Sequence, residues 1–140
     1  MEHAPTPPPP PPIKGGSGRI LLVDDDRMIR ASISRMLNRF GYECVTAEEG
    51  AKACALYVEA RTESRPFAAV LLDATIPGGL GGEAALHLIL QADPDARVIL
   101  FSGYADSDVM ARALELGFKA RLAKPFDRMQ LAAVMSEVLA

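Results

Sequence analysis

Cysteine and histidine are scarce in this chain, and long apolar runs and an excess of basic charge are missing. Among 140 residues there are two cysteines, Cys44 and Cys54, and two histidines, His3 and His87. Neither pair has metal-ligand spacing, which argues against a zinc site. The cysteines fall in separate expected elements and read as free, buried thiols of a cytosolic protein. Fifteen Lys and Arg against 18 Asp and Glu give a net charge of −3. That balance offers no basic face to neutralise the phosphates of nucleic acid. No apolar stretch approaches the roughly 20 residues of a membrane-spanning helix, and no signal peptide is visible. A cytoplasmic protein with no membrane contact and no nucleic-acid partner is the expectation.

What the chain has is ordinary globular composition, 49% apolar, and enough length for one domain with a proper core. Residues 1–18 stand apart. Pro5 and the run Pro7 to Pro12 favour an extended polyproline segment, and Gly15-Gly16-Ser17-Gly18 follows as a flexible joint. This stretch reads as a Pro/Gly-rich disordered leader or linker, and 19–140 as the folded domain.

Beyond residue 18, short apolar runs alternate with helical patterns. Ile20 to Val23 reads as a strand and is followed by Asp24-Asp25-Asp26. A helix with Ile29, Ile33, Met36, Leu37 and Phe40 on one face then runs to Gly41. Glu43 to Ala47 is a second strand. Ala51, Cys54, Ala55 and Val58 give the next helix an i, i+3, i+4, i+7 stripe. Val70 to Asp73 is a third strand, stopped by Pro77 and four glycines. Glu83 to Gln91 reads as helix, Ala96 to Phe101 as a fourth strand, and a helix capped by Asp106 or Ser107 runs to Leu116, with Gly117 as its stop. Lys119 to Ala123 is the fifth strand. A last helix carries Leu131, Val134, Met135, Val138 and Leu139. Five strands alternating with five helices imply a doubly wound α/β sandwich around a parallel sheet, with all strand carboxyl ends on one edge. The strand order 2-1-3-4-5 is taken by analogy with sheets of this alternation.

Four of those five strands end in polar or charged groups: Asp24-Asp25, Asp73, Ser102 and Lys124. Neighbouring strands lie about 4.8 Å apart, so the acids after strands one and three are close enough to share an ion. Facing carboxylates repel unless a cation intervenes, and an all-oxygen set suits Mg2+. A phosphoryl group would then find the metal, the Lys124 ammonium and the Ser102 hydroxyl for its three oxygens. Asp73 is placed to attack as the nucleophile, and Gly103 leaves room for the incoming group. Each residue has a plainer alternative. Asp73 or the triple acid would cap a turn or helix, Ser102 would be a turn residue, and Lys124 would lie on the surface before Pro125. Their coincidence on matching strand ends favours the joint reading.

The motifs Leu-Val-Asp-Asp-Asp at 22–26, Leu-Asp-Ala-Thr-Ile-Pro at 72–77, Ser102-Gly103 and Lys124-Pro125-Phe126 resemble those of bacterial response-regulator receiver domains. The resemblance spans nearly all of 19–140 and implies the flavodoxin-like (βα)5 fold. It implies that Asp73 accepts a phosphoryl group from a sensor-kinase phosphohistidine. Asp25, Asp73 and the Thr75 backbone carbonyl would bind Mg2+, with Asp24 acting through water. Ser102 and Lys124 would bind the phosphoryl oxygens, and the Lys124-Pro125 bond would be cis. Residues 75–82 and 102–106 look most like the C-terminal receivers of hybrid sensor histidine kinases. The implied partners are a sensor kinase, or a kinase domain in the same parent chain, and a histidine phosphotransfer protein. A stand-alone single-domain regulator is the alternative.

Two positions depart from the family pattern or vary within it. Many receivers carry a tyrosine or phenylalanine three residues before the lysine, and here that residue is Arg121, whose charge resists burial. The inward ring swing of activation is therefore expected to be absent. Tyr104, with Thr75, is expected to set access of water to the phosphorylated site. His87 shares a helix face with Glu83 and Gln91 and reads as solvated. The expected role is a switch that assists its own phosphorylation, not an enzyme with an external substrate. A phosphatase resembling the haloacid dehalogenases would need a further acid pair beyond the lysine, for which only Asp127 and Glu137 remain. A flavin module would need a Ser/Thr/Gly-rich loop where this chain has three acids.

Overall fold

A computed structural model describes residues 18–74, 81–103 and 108–139. Five strands, β1 (Arg19–Val23), β2 (Glu43–Ala47), β3 (Ala69–Asp73), β4 (Val98–Ser102) and β5 (Ala120–Ala123), form one sheet in the order β2-β1-β3-β4-β5. Every pairing is parallel. Around it lie α1 (Arg27–Arg39), α2 (Gly50–Thr62), α3 (Gly82–Ala92), α4 (Asp108–Ala111), α5 (Ala113–Leu116) and α6 (Arg128–Leu139). The expected doubly wound sheet and its strand order are both present.

The three central strands are apolar without a break because both of their faces are covered. Alternate residues serve two separate cores. Leu21, Val23, Val70, Leu72, Val98 and Leu100 pack with α2, α3 and Met110 on one side. Ile20, Leu22, Leu71, Ile99 and Phe101 pack with Ile33 and Leu37 of α1 and Leu131 and Met135 of α6 on the other. Each such side chain contributes roughly 1.5–3 kcal/mol by leaving water. The edge strand β5 alternates buried and exposed residues.

Local chemistry sets the helix ends. Asp26 caps α1 by accepting hydrogen bonds from the amides of Met28 (2.8 Å) and Ile29 (3.3 Å). Gly41 and Gly117, with φ of 98° and 116°, stop α1 and α5 in a conformation glycine adopts without strain. Asp127 and Gln130 exchange backbone-to-side-chain bonds of 2.8 and 2.9 Å at the start of α6, a reciprocal cap.

Three expectations are corrected. The buried face of α2 is Gly50, Ala53, Tyr57 and Ala60, whereas Ala51, Ala55 and Val58 are exposed. Small apolar residues surround this helix, and the large Tyr57 ring decides which face turns inward. The single helix expected to end at Leu116 is broken at Arg112. Arg121 donates to the carbonyl of Met110 at 2.8 Å and to that of Ala111 at 3.4 Å, competing with the helix's own amides for those acceptors. Cys44 and Cys54 are free but only half-buried, each packing against the outside of one of the two cores. The expected cap at Asp106 or Ser107 lies outside the described residues, as does 1–17 of the leader. Gly18 is already tied to the sheet, its carbonyl accepting from the Glu43 amide at 3.0 Å.

Candidate functional site at the carboxyl edge of the sheet

The first strand delivers Asp24 straight from the core into the site. Its amide still belongs to the sheet, donating to Ala47 at 3.2 Å, and its side chain is buried. One carboxylate oxygen accepts from the Asp26 amide at 2.8 Å, and the other from the Lys124 Nζ at 3.0 Å. Arg30, on the first turn of α1, donates to the Asp24 backbone carbonyl at 2.8 Å. Asp25 projects into solvent. The three consecutive acids are thus placed differently: Asp24 in a buried ion pair, Asp25 as an exposed carboxylate beside it, and Asp26 as a helix cap.

Asp73 ends β3 opposite Phe101 and is buried. Lys124 Nζ stands 3.5 Å from its carboxylate, so one ammonium bridges the acids of β1 and β3. The same ammonium lies 4.8 Å from the centre of the Phe101 ring, a favourable approach for a cation. Ser102 ends β4, is fully buried, and its carbonyl accepts from the Lys124 amide at 2.8 Å. The Lys124-Pro125 peptide is cis, as the resemblance implied.

Oxygen atoms of Asp24, Asp25 and Asp73 lie within 4.8 Å of one another. Three hard, anionic donors in that space fit a cation such as Mg2+, which takes few carboxylates and keeps several waters. The site opens beside Gly103, where an added β-carbon would meet nothing among the described residues within 4 Å. A cavity of about 500 Å3 adjoins it, lined by Ile29, Ser32, Ile33 and Phe126 and sharing Gly103 and Lys124 with the site.

The structure therefore brings together Asp24, Asp25, Asp73, Ser102, Gly103 and Lys124. Thr75 and Tyr104 lie outside the described residues. Arg121 is exposed and holds the end of α4, away from the acids. His87 is exposed on α3. Asp127, one of the two acids left for a phosphatase, is committed to capping α6. The two thiols are held toward their protonated, less nucleophilic form. Burial raises Cys44, partly offset by its bond from Ser34, and burial raises Cys54. Sequence reasoning missed three contributors: the Asp24–Lys124 pair, shorter than the Asp73–Lys124 contact, Arg30, and Gly82 behind Asp73. Arg30 carried a signal, since its amide completes the first turn from Asp26.

Residues 20–136 match the family model of the response regulator receiver domain. Sporulation initiation phosphotransferase F of Bacillus subtilis is 36% identical over 109 residues, covering 78% of this chain and 83% of that protein. The transcriptional regulatory protein PrrA of Mycobacterium tuberculosis is 35% identical over 123 residues. This match covers 88% of this chain and only 50% of PrrA. The receiver domain of a Pseudomonas aeruginosa sensor histidine kinase superposes with a TM-score of 0.78 at 26% identity, covering 88% of this chain and 98% of that one. That crystal structure holds a magnesium ion coordinated in its active-site cleft.

Proposed function

Because this chain belongs to the response regulator receiver domain family, we propose that Asp73 is its phosphoacceptor in a two-component phosphorelay. The observation that carries the reading is the meeting of Asp24, Asp25 and Asp73 within 4.8 Å under one bridging ammonium. Asp25, Asp73 and the Thr75 carbonyl would hold Mg2+, with Asp24 acting through water. The ion, when bound, supplies positive charge to the phosphoryl oxygens and to the crowded acids.

An Asp73 carboxylate oxygen attacks the phosphorus of a phosphohistidine. The P–N bond breaks, its electron pair stays on the imidazole, and an acyl phosphate forms on Asp73. Lys124 and Ser102 take phosphoryl oxygens, so Lys124 exchanges part of its hold on Asp73 for the new group. The product changes which proteins the domain binds; it is a switch and turns over no external substrate. Arg121 supports an output route without a buried ring. A crystal structure of the phosphorylated form with Arg121 swung into an inner pocket would overturn that element. Tyr104 shields the acyl phosphate from water, and an unchanged dephosphorylation rate in Tyr104→Ala would remove it from that role.

Intact mass after incubation with Mg2+ and acetyl phosphate tests the reading. One added phosphoryl group, absent in Asp73→Asn, is the expected result. Labelling that survives the substitution would move the acceptor elsewhere. On the finer question, the motifs at 75–82 and 102–106 and the likeness to a sensor-kinase receiver support a hybrid-kinase parent. The Bacillus subtilis relative, most of whose length is matched, favours a stand-alone regulator. The mass of the native polypeptide in its source cells separates the two.

A further inference from the structure

Gly82 opens α3 directly behind the strand end that carries Asp73. It is buried, and a β-carbon built there would stand 3.0 Å from the Asp73 carbonyl oxygen, 3.2 Å from that of Ala74 and 3.3 Å from the Ala74 Cα. All three neighbours are backbone, so no side chain can rotate away to make room. The strand end is held from the sheet side. The Ala74 amide donates to Phe101 at 2.9 Å, and Asp73 pairs with Phe101 across the ladder. The helix is held from the other side, because Leu86 and Ile89 are buried in the core beneath it. Its neighbour Gly81 is different: exposed, with nothing among the described residues within 4 Å of a β-carbon. Glycine is a poor helix former, so helix formation does not account for its place in the first turn of α3; the space does.

We infer that Gly82 is a positioning residue for the phosphoacceptor. Its bare Cα lets the first turn of α3 rest on the backbone of Asp73 and Ala74, fixing where the Asp73 carboxylate stands against Lys124 and the other acids. The inference rests on Asp73 being the acceptor. A methyl group at 82 pushes the strand end by a few tenths of an ångström. The Lys124–Asp73 contact, at 3.5 Å, is already at the long end of hydrogen bonding and registers such a shift. Small misplacements at a reacting atom act steeply on rate, and about a tenfold loss is expected.

The test compares Gly82→Ala with Gly81→Ala and with Ile89→Val, which loosens α3 two turns from the site. Phosphoryl gain from acetyl phosphate is followed by intact mass, Mg2+ binding by calorimetry, and exchange of the Ala74 amide by mass spectrometry. Rates are taken per folded molecule, with trimethylamine N-oxide added where a variant is partly unfolded. The expected result is slowed phosphorylation and faster Ala74 exchange in Gly82→Ala alone. A wild-type rate in Gly82→Ala, or an equal loss in Ile89→Val, overturns the inference and leaves the acceptor reading intact. If the wild-type chain gains no phosphoryl group, the acceptor reading fails by itself. The positioning of Asp73 is then judged by Mg2+: weakened binding in Gly82→Ala alone supports it, and unchanged binding overturns it.

Discussion

Replacing Lys124 by methionine keeps the apolar stem beside the Phe101 ring and deletes the charge that bridges two buried acids. Unit charges at 3.0 and 3.5 Å attract by about 5 kcal/mol each at an effective dielectric of roughly 20, before desolvation is subtracted. Breaking a buried pair by removing one partner typically costs about 3–5 kcal/mol. The lysine is 20% exposed and Asp24 keeps its bond from the Asp26 amide, which places this case near the low end, about 3 kcal/mol. A domain of this size has roughly 5–15 kcal/mol in hand and stays folded. With a slope of about 1.5–2 kcal/mol per molar urea, the unfolding midpoint falls by roughly 1.5–2 M.

Magnesium discriminates between the electrostatic account and simple loss of packing. At ten times its dissociation constant a ligand stabilises the native state by about 1.4 kcal/mol. In Lys124→Met the cation meets acids with no ammonium between them, so its stabilising effect is larger than in the wild type. Adding Asp24→Asn to the variant recovers part of the loss, because the uncompensated charge is what destabilises it. Urea titrations monitored by circular dichroism, with and without Mg2+, read all of this. A midpoint shift below about 0.3 M, or identical Mg2+ effects in both proteins, would refute the bridging role.

Asp26→Ala removes the cap of α1 and should lower stability by about 1 kcal/mol. Phosphoryl gain should be unchanged, since the Asp26 side chain accepts from its helix and the amide that serves Asp24 is kept in the variant; a lost label would return the side chain to the site. Arg121→Ala should slow hydrogen exchange at the junction of α4 and α5, because the helix amides regain the Met110 and Ala111 carbonyls, and unchanged exchange would detach the guanidinium from the helix break. Burial, the hydrogen bond to Asp93 and the Asp93 charge raise the Tyr57 phenol far above its usual 10.0, with Arg61 opposing. A raised folded value makes this stabilisation complete below pH 10 or so and progressively lost as pH climbs beyond it. The alkaline fall in the urea midpoint should therefore be shallower in Tyr57→Phe. Cys44 and Cys54, both raised by burial, should react with a thiol reagent more slowly at pH 8 than after unfolding.

Strand positions and site members were legible from residue order because the central strands are apolar on both faces and end abruptly in Asp, Ser or Lys. Such boundaries survive without knowledge of tertiary contacts. The inward face of α2 was not legible, since alanines surround the helix and the anchor is one aromatic ring. The break at Arg112 was hidden for another reason: its cause, Arg121, lies on a strand nine residues further on. Residue order alone presented three adjacent acids at 24–26, among which only the resemblance distinguished Asp25 from Asp24. The fold separates them, because burial, the reach of Lys124 and the first turn of α1 assign each its partner. The glycines after Pro77 read only as the stop of a strand, but Gly82 is close-packed at the start of α3. Spacing along the chain carries no signal of what a missing side chain would strike.

Gly103 has a consequence for how such a domain can be tuned. A β-carbon added there meets nothing among the described residues, and the residue lines the neighbouring cavity together with Lys124. With Asp73 as the proposed acceptor, entry of water or donor would be narrowed at this point without disturbing either core. Timing and thermodynamic robustness are thus separable variables in this molecule, one adjustable at the rim and the other set by the sheet beneath.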